Sequence, residues 1–259
     1  MFSMVDLLLW VRDKPATQRV YLEDSYLREL EVEVLDFVLE KGRRYYVVFD
    51  KTIFHPRGGG QPSDTGVVVS NEFEFEVLKA LEVGGVIVHY GRLVNGALKR
   101  GVQAKQVINW DHRYLVMRLH TAGHILDYAV INALKSPASG VEANHGPPEA
   151  YILYETPSTP SDRDVALIEE ASNMVVESAR TVKAYWVEPW ELPSRVYNAA
   201  LNLQKLPPRG KYRVVEIEGV NAIPCTGTHV KNTREVGRVR VTRVEPVDRG
   251  FKLVYSVVN

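Results

Sequence analysis

Hydrophobic and polar residues alternate through much of the first hundred positions. Val32 and Val34 are set against Glu31 and Glu33 within Glu31–Leu39, and Tyr45–Phe49 is a run of β-branched and aromatic residues. Val67–Val69, Phe73–Val77 and Val86–His89 continue the pattern, separated by Asn71, Gly84-Gly85 and Asn95-Gly96. A period of two broken by Gly and Asn turns predicts short antiparallel strands, and several in succession predict a small closed barrel. The period changes after Asn109-Trp110-Asp111. Leu115, Leu119, Ala122, Leu126 and Ala129 recur at helical intervals as far as Leu134, with Asp111 as the expected N-cap. Ser136-Pro137-Ala138-Ser139-Gly140 ends that helix.

Further on, Tyr151–Glu155 reads as a strand, and Ser161-x-x-Asp164 as a capping-box start for a second helix reaching about Arg180. Val196–Leu203 reads as another short helix after Pro189 and Pro193. Val214–Ile217, Arg238–Val244 and Phe251–Val257 read as strands, the last two joined at Asp248-Arg249-Gly250. The expected fold class is α+β: a small antiparallel β-barrel over 1–108, followed by an α+β domain over 109–259.

Composition narrows the classes. Lys plus Arg and Asp plus Glu number 32 each, so a nucleic-acid partner would have to be held by a local basic patch. Candidate patches are Lys231, Arg234, Arg238, Arg240 and Arg243, and Lys205, Arg209, Lys211 and Arg213. The one cysteine excludes an internal disulfide and fits a reducing compartment. The opening Met1–Trp10 is interrupted by Asp6 and lacks a basic leader, so it reads poorly as a signal peptide. No run approaches the roughly 20 apolar residues that span a bilayer. A cytoplasmic protein with no membrane partner is expected.

Two histidine-bearing motifs change the picture. His120-Thr121-Ala122-Gly123-His124 sets two imidazoles one helical turn apart, about 5–6 Å at Cβ. Cys225-Thr226-Gly227-Thr228-His229 adds a thiol and another imidazole from a turn-rich loop. His120, His124, Cys225 and His229 suit one tetrahedral Zn²⁺, either as four ligands or as three plus water in place of His229. Thr at 121 stands where a His-Glu-x-x-His protease carries its general base. His145, in a loop, reads more simply as a packing residue. In Arg57-Gly58-Gly59-Gly60-Gln61-Pro62-Ser63-Asp64, the glycines suit either a tight turn or close backbone approach to a ligand.

In combination these segments resemble the editing region of alanyl-tRNA synthetase and its free-standing AlaX relatives. The likeness rests on Asp50–Gly66, similar to the family's Asp-x-Thr-x-Phe and Gly-Gly-Gln-Pro-x-Asp-x-Gly pattern; on Arg118–His124; on Pro224–Val230, similar to Cys-x-Gly-Thr-His-Val; and on Thr233–Gly237. The arginine of Arg118–His124 is shifted by one residue from the family spacing. Gly123 stands where synthetase editing sites often carry Thr, and Ser139–Gly146 departs from the family's Gln-x-Gly-Ser-like segment. The resemblance covers roughly residues 30–245 and leaves no room for an aminoacylation domain; the barrel with its Gly-Gly-Gln motif followed by a zinc domain is similar to the medium-sized AlaX class.

The resemblance implies a zinc-dependent hydrolase that deacylates mischarged tRNA(Ala) in trans, mainly the seryl and also the glycyl ester, at the acceptor end. It makes residues 109–259 the zinc-binding editing domain. It offers Gly58, Gly59, Gly60, Gln61 and Asp64 as substrate-binding residues, and Thr121 and Gln61 as candidate catalytic residues. Zinc either activates water or holds the substrate. The competing readings are a deacylase for another mischarged tRNA and a tRNA-binding module with a structural zinc. The oligomeric state is left open.

Overall fold

The computed structural model describes residues 5–136, 138–201 and 203–259. Met1–Met4 and Pro137 of the sequence readings lie outside the described residues, as do Asn202 and the Lys205 side chain. The protein is α+β and forms two compact units, one of residues 1–58 and 62–114, the other of 59–61 and 115–259.

The first unit opens with a short helix, α1 (Leu7–Val11), capped by the Asp6 carboxylate on the Leu9 amide at 3.1 Å. Strands β1 (Gln18–Arg19), β2 (Glu29–Lys41), β3 (Arg44–Phe49), β4 (Lys51–Thr52), β5 (Gly66–Val69), β6 (Phe73–Val83), β7 (Val86–Gly96) and β8 (Gln103–Ile108) follow. Six close a barrel in the order β2-β3-β7-β6-β5-β8, with every pairing antiparallel. Closure leaves no unpaired edge in that ring, which is how a small sheet avoids edge-to-edge association. The alternation read from the sequence is the barrel's inside and outside: Val32, Val34, Val47, Phe49, Phe75 and Val77 point into one core. Val11 of α1 covers a second cluster with Val48, Val86 and Val88.

Arg113 is the largest fully buried side chain among the described residues. Its guanidinium pairs with the Asp64 carboxylate and donates to the carbonyls of Ser25 and Ile53. Asp64 also accepts from the His55 amide at 2.5 Å. Both carboxylate oxygens are thereby engaged, as a buried charge requires. Asp64, expected from the sequence to bind substrate, is 1% exposed here and its carboxylate is engaged by Arg113 and the His55 amide.

Helix α2 (Trp110–Leu134) begins in the first unit and continues into the second. Its cap is Asn109, whose side-chain oxygen accepts from the His112 amide at 3.2 Å; Asp111, the expected cap, sits in the first turn. In the second unit, β9 (Ser139–Asn144) and β10 (Ala150–Glu155) precede α3 (Asp162–Glu177), which opens on the expected Ser161/Asp164 capping box. There follow β11 (Val182–Val187), α4 (Leu192–Arg195), β12 (Tyr212–Ile217), β13 (Asn221–Pro224), β14 (Arg238–Val247) and β15 (Gly250–Val258). They build an antiparallel sheet β14-β15-β10-β9 and a second sheet β11-β12-β13. Helix α3 lies on β14, with the Asn173 amide bonded both ways to Val239.

Among the described residues of Val196–Leu203 the expected helix does not form; helical turns lie only to either side, at α4 and in a 3-10 turn at Leu203–Lys205. Between them Tyr197 exchanges backbone hydrogen bonds with Ala222 at the edge of a sheet, and tertiary pairing overrides a weak helical pattern. Among the described residues no helix is long and apolar enough to cross a membrane.

The buried His89 yields a pH prediction for the first unit. Its ring lies between Phe49 and Phe54 with Nδ1 toward the Val47 carbonyl and Nε2 on the Thr52 hydroxyl. Burial lowers it from 6.5 to about 4, against the Val47 carbonyl. The unfolded chain therefore takes up a proton between those two values while the folded one does not, so stability is full above 6.5 and falls as the pH drops toward 4. The gap corresponds to about 3 kcal/mol. Urea titrations from pH 7.5 to 4 should show that loss, and His89→Gln should flatten it; an unchanged slope in the variant would refute the assignment.

Candidate functional site

Helix α2 presents His120 and His124 on one face because four residues make just over a turn. Its surroundings explain why it holds so firm: Val116, Met117, Ala122, Ile125, Leu126 and Ala129 are all fully buried. The loop after β13 brings up Cys225 and His229. The candidate ligand atoms of His120, His124, Cys225 and His229 all lie within 4.8 Å of one another. Cys225 Sγ is 3.5 Å from His120 Nε2 and 3.4 Å from His229 Nε2. Ligands at about 2.3 Å (sulfur) and 2.0–2.1 Å (nitrogen) around a tetrahedral ion stand about 3.5 Å apart. Three imidazoles and a thiol fit zinc, and the spacing matches it.

The ring orientations are imposed from outside the cluster. His120 Nδ1 donates to Gln61 Oε1 at 2.9 Å, which leaves Nε2 unprotonated and facing the sulfur. Gln61 is fixed in turn by the Thr228 amide at 2.8 Å and the Thr228 hydroxyl at 2.9 Å. His229 Nδ1 donates to Thr121 Oγ1 at 3.1 Å, and Thr121 passes its own proton to the Met117 carbonyl. The Val230 amide also reaches Thr121 Oγ1, at 3.3 Å. Gln61 and Thr121, read from the sequence as candidate catalytic residues, are thus fully buried and occupied in orienting the two rings.

Burial keeps both kinds of donor uncharged. Burial, with His145 and Arg213 adding to it, pushes His124 down to about 3, so the ring is neutral. Burial pushes the Cys225 thiol up, opposed by the Gly227 amide at 3.3 Å and by the Arg213 guanidinium. Arg213 is itself buried and clamps the loop by donating to the carbonyls of Cys225 and Gly227 at 2.8 and 3.0 Å. A Cβ on Gly227 would run into the His120 ring and stand 2.7 Å from Gln61 Oε1. Only glycine fits there.

His145 belongs to this site, although its loop position pointed to plain packing. Its ring stacks on His120 at 4.4 Å and 15°, and Nδ1 donates to the Tyr255 hydroxyl at 2.6 Å. Tyr255 in turn donates to the Leu119 carbonyl. This stack accounts for Gly123, since a Cβ there would stand 2.5 Å from His145 Cε1. Gly59 and Gly60 carry positive φ of 57° and 75°, and the Gly60 carbonyl accepts the His145 amide at 2.7 Å.

The cluster opens on a cavity of ≈ 550 Å³. Gly59, Gly60, Trp186, Arg209 and Lys211 line it together with residues of α2. Gly58, offered with its neighbours as substrate-binding, is exposed and is not among the lining residues. Trp186 is 52% exposed.

A model described as tRNA synthetases class II (A) matches residues 25–112, and one described as threonyl and alanyl tRNA synthetase second additional domain matches 212–255. The chain is 34% identical to the alanyl-tRNA editing protein AlaX-L of Pyrococcus horikoshii over 226 residues, 87% of this chain and 54% of that protein. It is 31% identical to the alanine–tRNA ligase of Ignicoccus hospitalis over 258 residues, 98% of this chain and 27% of the ligase. For the ligase of Staphylothermus marinus the values are 32% over 249 residues, 95% and 26%. The chain is thus similar over most of its length to an alanyl-tRNA editing protein and to one stretch of alanine–tRNA ligases. It spans 26–54% of the length of these relatives.

The packing around Gly123 is testable. Gly→Ala inside a helix ordinarily gains up to about 1 kcal/mol, whereas forcing a methyl into a filled core costs about 1–3 kcal/mol. With His145 pinned by Tyr255 and His120, the cost should win. Gly123→Ala should lose about 1–2 kcal/mol in chemical denaturation; a stabilised variant would show that His145 is free to move.

Proposed function

We propose that this chain is a zinc-dependent aminoacyl-tRNA hydrolase that deacylates mischarged tRNA(Ala) in trans, acting on the seryl and also the glycyl ester at the acceptor end in the cytoplasm. The observation that carries the reading is the buried His/Cys cluster at the wall of a cavity with an aromatic and basic rim. His120, His124, Cys225 and His229 would hold the ion. Zinc bound there would supply Lewis acidity toward the ester carbonyl or an attacking water. Gln61 and Thr121 act as positioning residues, keeping Nε2 of His120 and of His229 turned inward. Gly59 and Gly60 bring backbone close to the space an aminoacyl group would enter. Trp186 offers a stacking face for an unpaired base, and Arg209 and Lys211 offer charge for the phosphates beside it.

Two sets of measurements check this. Wild type should release serine and glycine from mischarged tRNA(Ala) and spare alanyl-tRNA(Ala), with activity removed by chelation and by Cys225→Ala. Tight tRNA binding with zinc in place and no release would favour a binding module with structural zinc; release from a different mischarged tRNA would move the substrate. Gln61→Ala should weaken zinc affinity by about 10–100-fold in chelator competition. Arg209→Ala with Lys211→Ala should weaken tRNA binding and reduce the salt-dependence slope by about two.

A further inference from the structure

Asp127 lies on the face of α2 that carries the two histidines, at i+7 from His120 and i+3 from His124, and lines the same cavity. Its Oδ1 accepts the hydroxyl of the fully buried Tyr154 at 2.7 Å, while Oδ2 takes no hydrogen bond from the described residues. The other carboxylate on the cavity wall, Glu142, is exposed and takes the Tyr151 hydroxyl at 2.6 Å. Asp127, half-buried, is therefore the less exposed of the two carboxylates that line the cavity among the described residues. Neither the cluster nor the Arg213 clamp uses it. An acid in such a place is costly unless something cationic meets it.

We propose that Asp127 is a specificity-determining residue that binds the α-ammonium of the aminoacyl ester; this rests on the deacylase reading above. The dimensions suit it. Three helical residues advance about 4.5 Å from His124. An α-nitrogen stands about 2.5 Å from its own carbonyl carbon, and a charge-assisted hydrogen bond adds about 2.8 Å. An ester carbonyl at the cluster end thus places its α-nitrogen within reach of Oδ2. Tyr154 keeps the carboxylate from turning away. Every aminoacyl ester carries that ammonium whatever its side chain, so Asp127 selects for an amino acid as such and does not separate serine from glycine. Burial pushes its carboxyl up to about 7, against the Tyr154 hydroxyl, and a bound cation would favour the ionised form.

The test uses zinc-loaded full chain and stable amide analogues of the terminal adenosine: seryl and glycyl, and their neutral counterparts with hydroxyl in place of the amine, glyceroyl and glycolyl. Calorimetric Kd values for wild type should favour each amine over its neutral counterpart by about 10-fold or more. Asp127→Asn, checked for zinc content and melting temperature, should lose about 10–100-fold for both amines and little for the neutral pair. Equal wild-type binding of amine and neutral analogues would overturn the proposal, and that comparison needs no variant. A loss confined to the seryl analogue would assign Asp127 to the side-chain hydroxyl and overturn it too. Turnover of seryl-tRNA(Ala) is followed in parallel: no turnover by wild type removes the deacylase reading, whereas turnover with Asp127-independent binding removes this inference alone.

Discussion

The second unit depends on the tautomers of two buried imidazoles. His120 and His229 turn their Nε2 atoms to the Cys225 sulfur only because each Nδ1 proton has a fixed acceptor, Gln61 for one and Thr121 for the other. Each acceptor is held from behind, Gln61 by both polar groups of Thr228 and Thr121 by the Met117 carbonyl and the Val230 amide. A free imidazole leaves the tautomer choice to solvent; here the hydrogen-bond chain makes it before any ion arrives. The glycines follow from the same constraint, since His120 lies against Gly227 on one side and beneath His145 on the other, with Gly123 giving His145 its space.

The segment Gly58–Asp64 shows one short stretch of chain satisfying two different electrostatic demands. Gln61 answers the imidazole proton of His120, and three residues later Asp64 answers the guanidinium of Arg113. Neither polar group is left to face a ligand. Truncating either member of the Arg113–Asp64 pair would strand a buried charge, a loss of several kcal/mol in comparable cases. A motif that looks like a binding loop by composition is here largely an internal brace, and its backbone glycines are the part that lines the cavity.

Legibility in the sequence followed the range of the interactions. The barrel strands were readable because alternation is local and one face of each strand is buried. The ligand pairs were readable because i,i+4 spacing on a helix and Cys-x-x-x-His in a loop bring donors together without help from elsewhere. Asn109 was passed over as a cap for Asp111 because both residue types cap well and they stand two positions apart. His145 was not readable as part of the site, since its place is set by the pairing of β9 with β10 and by Tyr255, 110 residues away. Arg113 was invisible for a related reason: nothing local marks an arginine on a helix as buried, and its partners come from residues 25, 53 and 64. The Val196–Leu203 stretch had enough apolar residues for a helix, but its backbone groups found a strand edge.

Helix α2 turns this inventory into an arrangement. Carried on a loop, His120, His124 and Asp127 would have no fixed separation; on a helix packed by Val116, Met117, Ile125 and Leu126 their spacing is set by the backbone repeat. The cavity consequently has two chemically distinct places along one wall, one of neutral imidazole and thiol donors and one of carboxylate. With a metal cation held by the first, a molecule binding both would carry an electron-rich atom and a cationic atom a few ångströms apart. An α-amino ester has that pattern and a simple carboxylic ester does not.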